Sequence, residues 1–379
     1  MPQNKTTTWA LQSILIATAV LAGVFFWAHY NNRQGEAIIL PQASYPKIAA
    51  FYLATPINES SAKEIAKHDL AVLNMAAQNN PEYLKKIKEL NPKIVLLAYT
   101  SNAETLNSLL YDNEPSGSGI WHQLGSGVRE EWIMKKYTGE KVHIWKDNNL
   151  MNPYIKSWDG KSYGDYLADF LYEKVLSTDY WDGLFFDTTS QNISWVSSDL
   201  DINNDGRKDN GATINQLWQE GHRYFFRKLR EKTGSSYLIV TNGDLEISDY
   251  ANGRMFEGFP EYWEGGWNNQ MKKYYSLGES GYWPRLNIIN SDTENTGNKY
   301  DYPSMRFGLA SALLGDGYYN FESGTESRIT LWWYDEYSVD LGQPTGRAFN
   351  VFNRNDYNFN EGAWQMDFER SIVLVNATD

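Results

Sequence analysis

Two acidic residues stand in apolar surroundings, where a carboxylate is costly to leave without a partner or a task. Asp187 closes the run Trp181 to Asp187 (WDGLFFD), and Glu257 lies inside Arg254 to Phe259 (RMFEGF). A charged group directly after an apolar strand must find partners or face a polar mouth. A carboxyl with apolar neighbours holds its proton longer than one in water, as a general acid must. Two such groups are what glycosidic bond cleavage needs: one attacks or steadies the anomeric carbon, the other protonates the leaving oxygen. A separation of about 5–5.5 Å implies retention and about 6.5–9.5 Å inversion; retention is the expectation. The structural alternatives are a cap or turn role for Asp187 and a salt bridge from Glu257 to Arg254 or Arg285. Glu246, Glu261 and Glu264 are rival acids on the same stretch.

The elements that would position this pair follow from the rhythm of the chain. From residue 47 short apolar runs alternate with amphipathic stretches. Strands are predicted over 47–53, 70–75, 93–99, 181–187, 237–242, 254–259, 285–290 and 317–321. Helices are predicted over 61–67, 81–90, 163–176, 213–232, 268–277 and 303–314. Continuous short apolar runs fit a parallel sheet covered on both faces. Eight strand–helix units predict an α/β fold, a (β/α)8 TIM barrel over 47–330, with a short β-rich extension over 331–379. An open doubly wound sheet would need a Gly-rich phosphate loop after the first strand, and Tyr52-Leu53-Ala54-Thr55-Pro56 is not one. In a barrel the site forms at the C-terminal ends of the strands. That rule nominates Tyr52, Tyr99, Asn242 and Asn290 as substrate contacts, with Asn320 on the eighth strand and Glu322 just beyond it. The rhythm breaks over 111–160, a stretch rich in Gly, Trp and Asn that should sit over the mouth and brings Trp145. Trp145, Trp195, Trp263, Trp267 and Trp283 are candidate sugar platforms, of which Trp145 and Trp283 are carried forward; core packing is the alternative for each. Asp335, after the eighth strand, is a further candidate, with a solvated surface pair as its alternative.

Composition narrows the partners. The formal net charge is -13, so nucleic acid and anionic lipid are poor partners. Aromatic residues make up 15% of the chain, including 15 Trp and 26 Tyr, which suits sugar stacking as well as barrel packing. There is no Cys, so thiolate nucleophiles and disulfides are excluded. The five His lack zinc-site spacing. Trp9 to Ala28 is an apolar run of bilayer-spanning length. It reads as a signal anchor, or as a signal peptide cut near Val20-Leu21-Ala22, with residues 1–28 as the targeting segment and 29–46 as a linker. Either reading places the barrel outside the cytoplasm, membrane-tethered or secreted.

The chain resembles the hypothetical glycosyl hydrolase-like family 15 of barrel proteins. The resemblance rests on Asp182-Gly183-Leu184-Phe185-Phe186-Asp187, the run Asp201 to Asp209 (DINNDGRKD), the Glu257 strand, Trp333-Tyr334-Asp335-Glu336, and Asp340-Leu341-Gly342-Gln343-Pro344-Thr345-Gly346, and it covers roughly residues 47–379. It implies a distant kinship with polygalactosaminidase-like and dextranase-like barrels. By that likeness Asp187 is nucleophile or stabiliser and Glu257 is acid/base. It also implies further β-structure beyond Val373–Asp379, hence a C-terminal segment short of full length.

Asp201, Asn203, Asp205 and Asp209, with Gly206, copy the first half of a calcium loop, but Ala212 stands where the bidentate Glu belongs. A structural calcium and a metal-free Asx-turn loop are the two readings; no other cofactor is expected. Three functions compete: a glycoside hydrolase acting on extracellular or cell-surface polysaccharide or oligosaccharide, a catalytically inactive glycan-binding barrel of the envelope, and a structural envelope protein. The sequence is silent on oligomeric state, sugar and linkage.

Overall fold

The computed structural model describes residues 37–42, 44–106, 119–146 and 148–378. The expected apolar span 9–28 and most of the linker lie outside these residues. Among the described residues no helix is long and apolar enough to cross a membrane.

Eight parallel strands follow one another in chain order around one sheet. They are β1 (Ala49–Tyr52), β2 (Leu70–Asn74), β3 (Val95–Ser101), β4 (Gly183–Asp187), β5 (Leu238–Asn242), β6 (Gly253–Phe256), β7 (Ile288–Asp292) and β8 (Tyr318–Glu322). A parallel bridge between Ile48 and Tyr319 brings the last strand back to the first. There Tyr319 N donates to Lys47 O at 2.9 Å. The result is a nearly closed barrel of the expected class.

The surrounding helices are α1 (Glu59–Ile65), α2 (Pro81–Leu90), α3 (Tyr163–Phe170), α4 (Gly211–Thr233), α5 (Gly266–Ser280) and α6 (Tyr302–Ala312). Their starts follow from local chemistry. Asn58 and Asn210 accept from the third backbone N–H of α1 and α4, Ser162 and Asp165 form a capping box on α3, and Pro81 opens α2. Two of the eight units lack a helix. The chain between β5 and β6 turns directly from 243 to 252. After β8 the chain descends the outside of the barrel, from Arg328, whose carbonyl accepts from Leu53 N, to Leu341, which donates to Tyr45 O. Only the 3-10 turn Asp335–Ser338 forms on the way.

Side chains alternate across each strand. One parity meets the helices, as with Leu184, Phe186 and Ile239. The other fills the barrel with Phe51, Val72, Leu97, Phe185, Val240, Met255, Ile288 and Tyr318. Two small sheets stand on the mouth. Glu104–Leu106, Asn148–Leu150 and His143–Trp145 form one, and Lys135–Lys136 pairs with Leu200–Asp201 in the other. A separate apolar cluster that includes Met134, Leu150, Ile202 and Trp218 fastens the insertion after β3 to the loop after β4. The C-terminal sheet, Phe349–Asn350, Ala363–Asp367 and Ile372–Asn376, shares one core with α5, α6 and the outer face of β6 to β8.

Candidate active site

One step of the strand period above the apolar filling, the same parity becomes polar. Phe185 is followed by Asp187, Leu97 by Tyr99, Val240 by Asn242, Met255 by Glu257, Ile288 by Asn290 and Tyr318 by Asn320. Apolar packing below and polar groups above place a chemical surface at the C-terminal mouth.

Asp187 and Glu257 converge there. The Asn242 amide nitrogen donates to Asp187 Oδ1 at 3.0 Å and to Glu257 Oε2 at 2.6 Å. Those two oxygens can be no further apart than the two contacts laid end to end, which is short of the about 6.5–9.5 Å that inversion uses. Asp187 also accepts from Tyr99 Oη at 2.6 Å and from its neighbour Thr188 N at 2.7 Å, so both oxygens are fixed. Burial, with the Asp187 charge beside it, pushes the Tyr99 hydroxyl well above the usual tyrosine value, so Tyr99 stays a donor. Thr188 sits at φ 57, in the left-handed region that threonine rarely adopts.

Glu257 lies just past the end of β6, with its side chain 30% exposed, and contacts Arg328. The other terminal nitrogen of Arg328 meets Glu322, which is fully buried and accepts from Asn290 Nδ2 at 2.8 Å. The guanidinium lies 5.1 Å from the centre of the Phe51 ring. Burial pulls Arg328 below its ordinary value while Asp187 and Tyr99 push it back up. The salt bridge that the structural alternative assigned to Arg254 or Arg285 is made to Arg328. Arg254 pairs with Glu264 on the helix side, and Arg285 donates to Gly281 O.

Glu104, at the start of the first mouth strand, escaped the sequence reading. It is 8% exposed. Asn148 Nδ2 donates to it at 2.7 Å and Thr188 Oγ1 at 3.5 Å. Burial first, then the Asp187 charge, push its carboxyl up to about 7 against those hydrogen bonds.

The remaining candidates separate. Tyr99 and Asn242 join the pair; Trp145, 56% exposed, stands on the mouth hairpin that pairs with the Glu104 strand. Tyr52 does not, because its parity points it to the helices, where its Oη is 3.1 Å from Ser61 Oγ. Asn290 faces inward but is sealed in the layer beneath, bonded to Glu322 and Asn320. Trp283 lies at the opposite end, in the turn that leads up into β7, where Leu286 N donates to Asn252 O. Asp335 lies on the barrel flank in the descending segment, beside Tyr337, which packs on the helix-facing ring of Tyr319. In the Asp201–Asp209 loop the carboxylates accept backbone hydrogens. Asp201 takes Asp205 N and Gly206 N at 3.1 and 2.8 Å, Asp205 takes Arg207 N at 2.9 Å, and Asp209 takes Ile202 N at 2.9 Å. Asn203 accepts from Asp205 N at 3.0 Å. These are the bonds of the Asx-turn alternative, and among the described residues no group of three or more His, Cys, Asp or Glu could hold a metal ion.

The fold is similar to that of two GH36 alpha-galactosidases from Geobacillus stearothermophilus. One is a variant of AgaA in complex with stachyose, 12% identical, with a TM-score of 0.51 over 91% of this chain and 48% of that one. The other is AgaB, 13% identical, with a TM-score of 0.50 over 90% of this chain and 47% of that one. The chain therefore spans about half the length of these enzymes, and at such identity the likeness is one of fold. No curated protein matches it. Its sequence matches hypothetical glycosyl hydrolase family 15 over residues 88–371, three quarters of its length, and the chain belongs to that family.

Proposed function

We propose that this chain is a retaining glycoside hydrolase acting on polysaccharide or oligosaccharide, with Asp187 as nucleophile and Glu257 as acid/base. The observation that carries the reading is the single Asn242 nitrogen bonded to both carboxylates, which keeps them at the spacing of a nucleophile and its acid rather than of a pair with a water between. In the first step Asp187 attacks the anomeric carbon as the bond to the leaving oxygen breaks, and Glu257 gives that oxygen its proton. In the second, water attacks the same carbon, Glu257 takes a proton from it, and the bond to Asp187 breaks. Arg328, shared between Glu257 and Glu322, places a positive charge beside Glu257 once that residue has given up its proton. Tyr99 and Thr188 N hold Asp187 in line. The steps use these side chains and water.

The same reading takes the barrel to lie outside the cytoplasm, on the strength of the apolar run 9–28 in the sequence. Cell fractionation of the full chain beside a chain lacking 1–28 tests that part.

Release of reducing ends is to be measured on a panel of soluble α- and β-linked glucans and galactans, N-acetylhexosamine polymers and stachyose, the ligand seen in AgaA. Asp187→Asn and Glu257→Gln should each lower turnover by three or more powers of ten, and the first-formed product should keep the anomeric configuration. Glycan release surviving both changes overturns the site. Binding without release by the wild type favours the inactive binding barrel.

A further inference from the structure

Glu104 is buried at the foot of the only mouth sheet, among the described residues, that carries an exposed tryptophan. Two donors reach it: the Asn148 amide at 2.7 Å and the Thr188 hydroxyl at 3.5 Å. The first belongs to the hairpin His143–Trp145/Asn148–Leu150, in which Asn148 stands opposite Trp145 and which pairs with the Glu104 strand itself. The second belongs to the residue whose N–H holds Asp187. One carboxyl thus ties the hairpin that carries Trp145 to the shoulder of the nucleophile. Trp145 is held through its strand partner while more than half of the residue remains exposed. A ring on an anchored strand and open to solvent is what stacking on the apolar face of a pyranose requires. Among the described residues, Asp187 on β4, Tyr99 on β3 and Tyr163 at the start of α3 interact with Glu104 electrostatically, and the hairpin contributes the neutral donor Asn148.

We propose that Glu104 is a positioning residue that seats Trp145 as a sugar platform on the Asp187 side of the site, so that Glu104 and Trp145 act on substrate affinity as one unit. This rests on the glycosidase reading, and its test separates the two. The protein is labelled with 5-fluorotryptophan, and the Trp145 resonance is assigned through Trp145→Phe. That resonance should move with pH through a midpoint near 7 and stand still in Glu104→Gln. A Trp145 resonance indifferent to Glu104 overturns the seating.

Kinetics on the panel member that the wild type cleaves fastest give the second arm. Trp145→Ala and Glu104→Ala should each raise KM roughly 10-fold. The double variant should be no worse than either, and Glu104→Gln, which keeps an acceptor oxygen, should stay within about threefold of wild type. Additive effects, or a KM unmoved by Trp145→Ala, overturn the platform while leaving Asp187 and Glu257 untouched. Failure of the wild type to cleave or bind any panel member removes the glycosidase reading and the platform with it, while the fluorine titration still reports whether Glu104 holds Trp145.

Discussion

Replacing Asn242 by alanine would remove, in one step, a donor shared by Asp187 and Glu257. Neither acid is changed, yet their mutual placement loosens. A misplacement of about 1 Å costs roughly a hundredfold in rate, so Asn242→Ala should lower kcat by about that factor, with an unaltered far-UV circular dichroism spectrum. Glu104 gives a prediction of a different kind. Its carboxyl titrates near 7 when folded, against 4.5 in its ordinary state. Between those values the native chain holds a proton that the unfolded chain has released, so this group makes stability fall as pH rises through that window. The slope is at most about 1.4 kcal/mol per pH unit. Denaturant titrations between pH 5 and 8 should show that slope flattened in Glu104→Gln.

The strands were legible because each is a short apolar run between polar turns, and all eight formed where such runs occur. Their parity was not legible. A strand covered on both faces is apolar at every position, so nothing local in AAFY says that Phe51 faces the barrel and Tyr52 faces α1. Asp187, Asn242 and Glu257 were visible because each is the polar residue that interrupts such a run at its C-terminal end. Trp283 could have been set aside from element order alone, since a residue between a helix and the following strand lies at the N-terminal end. Arg328 and Glu104 left no local mark. Their significance lies in contacts across 71 and 84 residues of chain.

Close strand approach has its own cost at this scale. A Cβ on Gly253 would run into the Leu286 carbonyl where β6 meets the turn before β7. Gly253→Ala should therefore destabilise by about 1–3 kcal/mol, with the thermal midpoint as the readout. Asp201 is buried and accepts two backbone hydrogens of its loop. Asp201→Ala should cost about 1–3 kcal/mol by leaving those donors unmet, visible as a lower denaturant midpoint.

In the whole molecule the barrel and the C-terminal sheet make one core. Trp364 is fully buried, stacks on Phe359 at 4.4 Å and lies 6.4 Å from Trp267 of α5. Trp364→Ala should cost about 3–5 kcal/mol and lower a single cooperative transition, whereas two separately folding units would show two. Packing runs on between the residues before and after 330. The apolar floor of Phe51, Leu97, Phe185, Val240 and Ile288 has one further consequence. It shuts the barrel from below, so whatever occupies the mouth enters and leaves by one opening. If Asp187 is the nucleophile proposed above, methanol admitted by that route should compete with water for the sugar bound to it, and methyl glycoside should accumulate in proportion to the methanol concentration.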